Sequence, residues 1–268
     1  NPSLCAGGSS GGAAVGLAAQ LLPVADGSDM MGSLRNPAAF NNVIGFRPTK
    51  GRVPGADENS KLFFDQLATD GPMGRDVTDT IKLLTTMAGF DAREPLSLQE
   101  TLPRAESFVP TTLEDGVRIG WMGDYGGYLA TEPGLLDICR GALQAVETKG
   151  AVVEDCAPDF ELERLWDTWL TLRHFAFIDS QPLLKDPTLK SQLKPEFQWE
   201  IEGSLGMSAA QIVTADTARS NWYRALMALF DEYDFLALPT AQVFPFDAQT
   251  HWPSKINGKP MDTYHRWM

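Results

Sequence analysis

The sequence predicts an α/β fold with a mainly parallel or mixed β-sheet. Helical patterns alternate with short apolar strands along the 268 residues, an order that is typical of helices packed against a sheet. The clearest unit is a strand at 117–122, a helix at 132–149, a turn at Gly150 and a second strand at 151–154. A βαβ unit of this kind predicts two parallel strands joined by a right-handed crossover.

Several elements precede this unit. They are a helix at 10–22, a strand at 22–25, a tight loop at 26–36, a helical turn opened by Pro37, a strand at 43–46 and a helix at 76–89. The first helix is indicated by alanines and other small residues at helical spacing. The last is indicated by an apolar stripe that begins at Val77 and by Gly89 as a stop signal. These elements make residues 1–90 the predicted core of the domain.

The rest of the chain is mainly helical. Residues 91–115 are rich in Pro, Glu and Ser and predict a surface connection. Long helices are predicted at 160–177 and 209–233, with shorter pieces broken by prolines between them. A buried strand at 235–238 follows.

We expect one domain, 1–268, truncated at both ends. Its predicted parts are a core with two serine-containing loops at 1–90, a connecting βαβ unit with a helical region at 91–234, and a return to the core sheet at 235–268.

Composition excludes several functional classes. The formal net charge is −13, because 35 Asp and Glu outnumber 22 Lys and Arg. Such a chain lacks the basic face that binding to a nucleic-acid backbone requires, and it is not expected to adhere to anionic membranes. The longest apolar-leaning run, 13–25, is too short to span a bilayer. The three cysteines are widely spaced without a C-x-x-C pair, which argues against a disulfide framework or zinc site and indicates a reducing compartment, the cytoplasm.

Two glycine- and serine-rich segments carry the chemical signal, residues 7–12 (GGSSGG) and 27–35 (GSDMMGSLR). Glycines permit close backbone approach, and a loop at a helix N-terminus presents free N–H groups. In the second segment a serine lies on a glycine-flanked turn, where successive N–H groups can converge on a developing oxyanion. Two serines on facing loops can serve as nucleophile and proton relay.

Three other interpretations compete for the first segment alone. A Gly-Ser run is frequently a flexible loop. Gly7, Ser9 and Gly11 also fit the G-x-S-x-G elbow of α/β-hydrolases, although residues 1–5 are a poor strand for it. A phosphate-binding loop needs a closing Gly-Lys-Ser or Gly-Lys-Thr, and this run has no lysine.

The ordered block of motifs decides between these interpretations, because it resembles the amidase-signature family. The matching segments are residues 7–12 (GGSSGG), 27–39 (GSDMMGSLRNPAA), 45–53 (GFRPTKGRV) and, more loosely, 69–75 and 235–240. Between 91 and 208 the resemblance is weak. It implies the fold of that family: a mixed, largely parallel twisted sheet covered by helices on both faces, incomplete in this chain.

The resemblance also implies a Ser–Ser–Lys triad, a lysine-based variant of the serine-hydrolase theme. By position, Ser33 would be the nucleophile and Ser9, held by a cis peptide bond in this family, the proton relay. The oxyanion hole would consist of the backbone N–H groups of Met30, Met31, Gly32 and Ser33.

Supporting roles follow from the same resemblance. Ser10 would support its loop by hydrogen bonding, and Asp29 and Arg35 would hold the two serine loops in register. Met31 replaces a glycine of the family pattern and is expected to narrow the pocket near the scissile bond. The triad lysine lies upstream of the serine loop in the family, where this chain has not yet begun. We therefore expect the chain alone to lack a general base and to be inactive.

Further candidate residues are assigned structural roles. Isolated histidines favour core or surface positions over a Ser-His-Asp triad; they are His174, His251 and His265. Aromatic and leucine side chains of the middle segment favour a helix core, with a substrate funnel over Ser33 as the alternative; they are Trp166, Trp169, Leu170, Phe175, Phe177 and Trp199. Four acidic residues lack metal-ligand spacing and predict a solvated face; they are Asp155, Asp159, Glu161 and Glu163.

The function implied by the resemblance is hydrolysis of a carbon–nitrogen amide bond in a small molecule. A Ser33 acyl-enzyme would release a carboxylic acid and ammonia or an amine, without a metal or organic cofactor. The alternatives are the A subunit of glutamyl-tRNA amidotransferase, an esterase with Ser9 as nucleophile, and a non-catalytic fragment. Met30, Met31 and the aromatic middle segment favour a stand-alone amidase. We expect no nucleic-acid or membrane partner, and a homodimer is left open.

Overall fold

A computed structural model describes residues 1–55, 61–108, 113 and 116–268. The strands are β1 Val24–Asp29, β2 Ile44–Gly45, β3 Thr69–Gly74, β4 Arg118–Trp121, β5 Val152–Asp155, β6 Phe235–Ala237, β7 Lys255–Ile256 and β8 Lys259–Pro260. The helices are α1 Gly11–Ala18, α2 Arg35–Asn41, α3 Val77–Met87, α4 Leu135–Glu147, α5 Leu162–Ala176, α6 Pro182–Lys185, α7 Pro187–Gln192, α8 Pro195–Gly203 and α9 Ala209–Phe230. Of the predicted surface connection, residues 109–112 and 114–115 lie outside the described residues.

Helices and sheets confirm the mixed α/β class. The chain forms two compact units, each built from more than one stretch. Unit 1 comprises Asn1–Thr112, Leu129–Ala142 and Pro239–Met268, and unit 2 comprises Leu113–Tyr128 and Leu143–Leu238. The predicted three-part division of one domain stays a prediction.

The sheet of unit 1 has the order β1-β3-β2 and is antiparallel throughout. β1 pairs with β3 over six positions, from Val24 opposite Gly74 to Asp29 opposite Thr69. The prediction of a strand at 22–25 followed by a tight loop was therefore wrong for this segment, because the strand continues to Asp29. Backbone pairing along β3 outweighs the weak strand preference of the Gly-Ser-Asp run.

Leu34 anchors the turn that follows β1 to this sheet. Its side chain is fully buried and packs with Ala14, Leu17, Ala38 and Met73. A glycine from each strand faces it. An added Cβ would lie 2.9 Å from Leu34 Cδ2 at position 27 and 3.0 Å from Leu34 Cδ1 at position 71, and at position 45 it would collide with the Leu34 carbonyl oxygen. The absence of side chains at these three positions lets the turn approach the sheet closely.

The helices of unit 1 follow local signals. The alanine- and glycine-rich α1 buries Ala14 and Leu17 and contacts β1 and α2. Asp76 caps α3 by accepting the Asp79 N–H at 2.8 Å, a typical N-cap bond. Val77, the first residue of the predicted apolar stripe, is 60% exposed.

A second apolar cluster in unit 1 gathers the C-terminal residues. Val243, Ile256, Met261 and Trp267 are buried together, with Phe40 packed against them. The chain near the N-terminus joins this region through backbone bonds, such as that from the Cys5 N–H to the Phe246 carbonyl at 2.7 Å. The C-terminal stretch of unit 1 thus braces the segment that leads into the first serine loop.

Unit 2 contains a parallel sheet of order β5-β4-β6. The predicted parallel pairing of the βαβ strands is confirmed, with Arg118 opposite Val152 and Trp121 opposite Asp155. β6 lies on the other side of β4, also parallel, with Ile119 opposite Phe235. The predicted strand at 235–238 is therefore present and belongs to this sheet.

The remaining helices of unit 2 are well signalled by the sequence. α6, α7 and α8 each begin at a proline, the residue favoured at the first helical position. Ser208 and Gln211 form a capping box at the start of α9, the arrangement that satisfies free N–H groups at a helix N-terminus. α9 packs along α5. Among the described residues, none of the helices combines the length and apolar character needed to cross a membrane.

Candidate active site

The two predicted serine loops meet in unit 1. Ser9 is exposed and precedes α1, and the Gly8–Ser9 peptide bond is cis, as the resemblance implies. Ser33 is half-buried on the turn between β1 and α2. The Ser10 N–H donates to the Ser33 carbonyl at 3.2 Å, and this bond joins the loop of Ser9 to the loop of Ser33.

Asp29 organises the turn that carries Ser33. Its side chain is fully buried and its carboxylate accepts the N–H groups of Gly32 at 2.8 Å and Leu34 at 3.3 Å. Arg35 donates Nε to Oδ2 at 2.8 Å and Nη2 to Oδ1 at 2.9 Å. The fork-shaped guanidinium suits a carboxylate in this bidentate way. One buried carboxylate thus ties the residues on both sides of Ser33 together.

The environment of Asp29 keeps its carboxyl group ionised. Burial alone would raise its pKa, but the hydrogen bond and charge of Arg35, the N–H of Gly32 and the charge of Arg47 together lower the pKa below its ordinary value of 3.8. Hydrogen bonds and opposite charges favour the charged form of a carboxyl group. The pair identified from the sequence is present, and its role in holding both loops stays a prediction.

The predicted oxyanion donors differ in their bonding. The Gly32 N–H is already donated to Asp29 Oδ1 at 2.8 Å, so in this structure its single hydrogen is engaged. Within the described part of the chain, the N–H groups of Met31 and Ser33 donate no hydrogen bond. Gly32 adopts φ +97°, a left-handed angle that favours glycine. Met30 also lies on this turn, half-buried.

Ser10 supports its loop mainly through the backbone. Besides the bond to Ser33, its carbonyl accepts the Ala14 N–H at 3.1 Å, and its side chain makes no cap hydrogen bond to α1. An added Cβ at Gly27 would collide with Ser10 Oγ, so the hydroxyl packs closely against β1. Ser10 thus contacts β1 with its side chain and bonds to the loop of Ser33 and to α1 with its backbone.

Three residues near the site were missed from the sequence. Arg47 donates Nε to the Asp29 carbonyl at 3.3 Å and Nη2 to the Leu67 carbonyl at 2.7 Å. Asn41 donates Nδ2 to the Ala6 carbonyl at 2.8 Å, and Asn36 is fully buried beside Gly7. Arg47 lies in the matched segment 45–53, so the sequence did contain a motif that could have identified it. The two asparagines make long-range contacts that no local pattern shows.

The other candidate residues lie where a structural role accounts for them. His174 Nδ1 lies 2.9 Å from the Glu200 carbonyl, and Arg173 Nε donates to Glu200 Oε1 at 2.7 Å, all in unit 2. His265 is buried with Nδ1 2.8 Å from Thr263 Oγ1, and His251 is exposed. Burial with local bonds is consistent with core roles for the first and the third histidine.

The acidic and aromatic sets both belong to unit 2. All four acidic residues are exposed, which confirms the predicted solvated face; they are Asp155, Asp159, Glu161 and Glu163. No group of His, Cys, Asp and Glu able to hold a metal ion occurs among the residues that the structure describes. Phe177 packs edge to face with Phe197 at 5.3 Å between ring centroids, but none of the six aromatic and leucine residues is fully buried, and Trp199 is exposed. The alternative funnel role stays a prediction.

Comparisons with known proteins agree with this geometry. Residues 1–267 match the family model described as Amidase. The chain is 32% identical over 263 residues to an acylamidase of Rhodococcus erythropolis, a match that covers 94% of this chain and 52% of that protein. It is 38% identical over 149 residues to the A subunit of the glutamyl-tRNA(Gln) amidotransferase of Pseudomonas putida, covering 56% of this chain and 30% of that protein.

A solved structure gives the same picture. The crystal structure of a bacterial aryl acylamidase of the amidase-signature enzymes superposes with a TM-score of 0.89 and 28% identity, covering 100% of this chain and 56% of that chain. The 268 residues therefore span roughly a third to a little over half of the length of these relatives.

Proposed function

Because the chain belongs to the amidase-signature family, we propose that it hydrolyses a carbon–nitrogen amide bond through an acyl-enzyme on Ser33. The observation that carries the proposal is the bond from the Ser10 N–H to the Ser33 carbonyl. It joins the loop of the proposed relay to the turn of the proposed nucleophile. The bidentate pair of Asp29 and Arg35 holds the same turn. Two serines on rigidly connected loops suit nucleophilic catalysis.

The proposed reaction has two stages. Ser33 Oγ attacks the substrate carbonyl carbon while its proton passes to Ser9 and on to a lysine. The amide nitrogen then takes up a proton and leaves as ammonia or an amine, which breaks the carbon–nitrogen bond. Water attacks the acyl-Ser33 ester, releases the carboxylic acid and restores the serine proton. This scheme needs no metal or organic cofactor.

We propose that an oxyanion hole on the turn stabilises both tetrahedral intermediates. The N–H groups of Met31 and Ser33 are the donors best placed by their bonding, since neither is engaged within the described residues. The Gly32 N–H would become a third donor if it exchanged its bond to Asp29 for one to the oxyanion. The backbone N–H of Met30 is the fourth proposed donor. Donors fixed before the reaction cost little reorganisation when charge develops.

The general base of this scheme is a lysine at the position that the family uses. In the family that position lies upstream of the serine loop, and we expect any form of the protein without a lysine there to be inactive. A longer natural protein that supplies the lysine should be active. Without a base, the hydroxyl of Ser33 stays a weak nucleophile.

The proposed substrate is a small acylated amine. The likeness to the Rhodococcus erythropolis acylamidase extends over 94% of this chain, and the aryl acylamidase structure covers all of it. The alternative is the A subunit of the amidotransferase, which is more similar in sequence but over 56% of the chain. Dependence of activity on glutamine and on partner proteins would decide for the alternative.

We also propose a cytoplasmic location. Cys5, Cys139 and Cys156 are all free thiols, which suits a reducing compartment. Fractionation of the source cells with immunodetection would test this, and recovery from the culture medium would contradict it. A homodimer stays open, to be tested by light scattering.

A single labelling experiment tests the mechanism. A natural protein that contains this chain together with the lysine, called the full-length protein below, and the 268-residue chain are treated with a fluorophosphonate probe, and the modified serine is located by mass spectrometry. We expect labelling of the full-length protein at Ser33 and loss of labelling in S33A. Labelling at Ser9 alone would favour the esterase interpretation. No labelling of an intact, lysine-containing protein would refute any serine-hydrolase mechanism.

A further inference from the structure

Asn36 is a fully buried polar residue three positions after Ser33. Its side chain is 0% exposed, and neither Nδ2 nor Oδ1 has a hydrogen-bond partner among the residues that the structure describes. A carboxamide offers two donor hydrogens and an acceptor oxygen, and buried groups of this kind are almost always bonded. The side chain therefore has hydrogen-bonding capacity that points to a bound molecule.

The position of Asn36 connects the two serine loops. Its backbone N–H donates to the Gly32 carbonyl at 2.7 Å, which closes the turn that carries Ser33. Its side chain faces the other loop, because an added Cβ at Gly7 would lie 2.5 Å from Asn36 Oδ1. The residue thus touches the nucleophile turn with its backbone and the Gly7–Ser9 loop with its carboxamide.

Asn41 on the same helix differs from Asn36, because its side-chain amide has hydrogen-bond partners. It donates Nδ2 to the Ala6 carbonyl at 2.8 Å and to the Pro37 carbonyl at 2.9 Å. Helix α2 therefore presents two asparagines to the segment that leads into Ser9. Of these two asparagines, only Asn36 has a side chain with no hydrogen-bond partner among the described residues.

A water molecule fits these requirements best. The complete burial of Asn36 favours a small internal molecule over a substrate group, and one water can both donate and accept in the way a carboxamide requires. We propose that Asn36 is a positioning residue whose carboxamide holds one buried water, and that this contact fixes the Gly7–Ser9 loop against the Ser33 turn. The inference rests on the proposed function, since the loops matter as the carriers of relay and nucleophile.

The first test separates positioning from stability. In N36L a side chain of the same branching but larger volume removes the buried polar group, so thermal unfolding is measured beside labelling, and labelling is compared per folded molecule. We expect the rate of fluorophosphonate labelling at Ser33 and kcat to fall about 10- to 100-fold, because small misplacements of reacting groups have effects of that size. KM should change little. The control is N42G, at an exposed asparagine with φ 54° just beyond α2, which should label at the wild-type rate.

A matched pair of variants covers the case in which N36L fails to fold. N36S differs from N36A by one hydroxyl that can hold a water, and it should recover part of the labelling rate lost in N36A. Equal rates for N36A, N36S and wild type would overturn the positioning role. These variants are made in the lysine-containing protein, and if its wild-type form is not labelled at Ser33, the proposed function fails instead.

A crystal structure tests directly whether the proposed water is present. A crystal structure of the full-length natural protein at high resolution should show a water within hydrogen-bonding distance of both Nδ2 and Oδ1 of Asn36. A protein group bonded to both atoms in place of a water would overturn the inference, whatever the labelling result.

Discussion

Asp29 and Arg35 form a bidentate pair in which one partner is fully buried and the other is not. The two nitrogen–oxygen distances are 2.8 and 2.9 Å, and the side-chain exposures are 0% for Asp29 and 48% for Arg35. The carboxylate also accepts backbone N–H groups on both sides of Ser33. The pair therefore matters less as a surface ion pair than as a fixed hydrogen-bond acceptor for the turn that carries Ser33.

Replacing Asp29 by Asn should destabilise the protein by about 2 kcal/mol, a typical value for lost hydrogen bonds to a charged group when one partner is half exposed. Urea unfolding measures the change. Labelling of Ser33 should slow as the turn loosens. The control D79N removes a partly exposed carboxylate on α3 and should change stability by less than about 0.5 kcal/mol. A D29N protein of wild-type stability would show that the carboxylate charge does not hold the turn.

The stabilisation by Asp29 should depend on pH. Its folded pKa lies below the ordinary 3.8, so the ionised group stabilises the fold above about pH 4. This contribution is lost as the pH falls through the folded pKa. The free energies of unfolding of wild type and D29N, measured from about pH 7 to about pH 3, should therefore converge at the acid end. A difference that stays constant over this range would contradict the pKa direction.

Asp70 should behave in the opposite way. Burial, helped by the nearby charges of Asp26 and Glu94 and opposed by Lys50, raises its pKa above 3.8. The ionised form is then disfavoured in the folded protein, so a stability cost appears as the pH rises through the folded pKa. D70N should raise the melting temperature at about pH 7, by less than about 4 °C, and have no such effect near about pH 3. A lower melting temperature at neutral pH would show that the charge of Asp70 is stabilising.

Met31 should limit the size of the acyl group. Its side chain is half-buried on the nucleophile turn, where the family pattern has glycine. M31G should raise kcat/KM for a bulky acylamide relative to an acetamide by roughly 10-fold, in the range expected for a few methylenes in a pocket. M31L, of similar volume, should keep the wild-type ratio. Equal ratios for all three proteins would place the pocket elsewhere.

The capping box of α9 offers a prediction in unit 2. Ser208 Oγ accepts the Gln211 N–H at 3.3 Å, and Gln211 Oε1 accepts the Ser208 N–H at 2.8 Å. S208A should lower the free energy of unfolding by about 1 kcal/mol, as loss of an N-cap usually does. Labelling of Ser33 per folded molecule should stay unchanged. Stability equal to wild type would mean that the helix start is held by other contacts.

The sequence predicted the elements whose signals are local. Prolines mark the starts of α6, α7 and α8, and the βαβ pattern correctly predicted parallel strands. The short β7–β8 hairpin was missed although Asn257 and Gly258 both have positive φ, an Asn-Gly turn signal that the sequence does carry. β3 was missed because its Gly-Pro-rich residues have little strand preference and pair through partners far along the chain.

The candidate site shows the same division. Ser9, Ser33, Asp29 and Arg35 were found because they lie in an ordered run of motifs. Asn36 lies in that run too, but its significance depends on burial against Gly7, which a linear pattern does not contain. The hydrogen bond from the Gly32 N–H to Asp29 depends on the folded shape of the turn, and it cannot be predicted from the residue types.

The three glycines that face Leu34 have a consequence for anyone who wishes to change the substrate range. A side chain at position 27, 45 or 71 would collide with Leu34 or with a nearer neighbour, such as Ser10 Oγ at position 27 and the Phe46 carbonyl oxygen at position 71. Random libraries should therefore return almost no active clones altered there. Diversity introduced at Met30 and Met31 alters side chains while leaving the backbone of the turn in place. If the proposed function holds, changes of substrate range should therefore come from Met30 and Met31 and not from the three glycines packed under the turn.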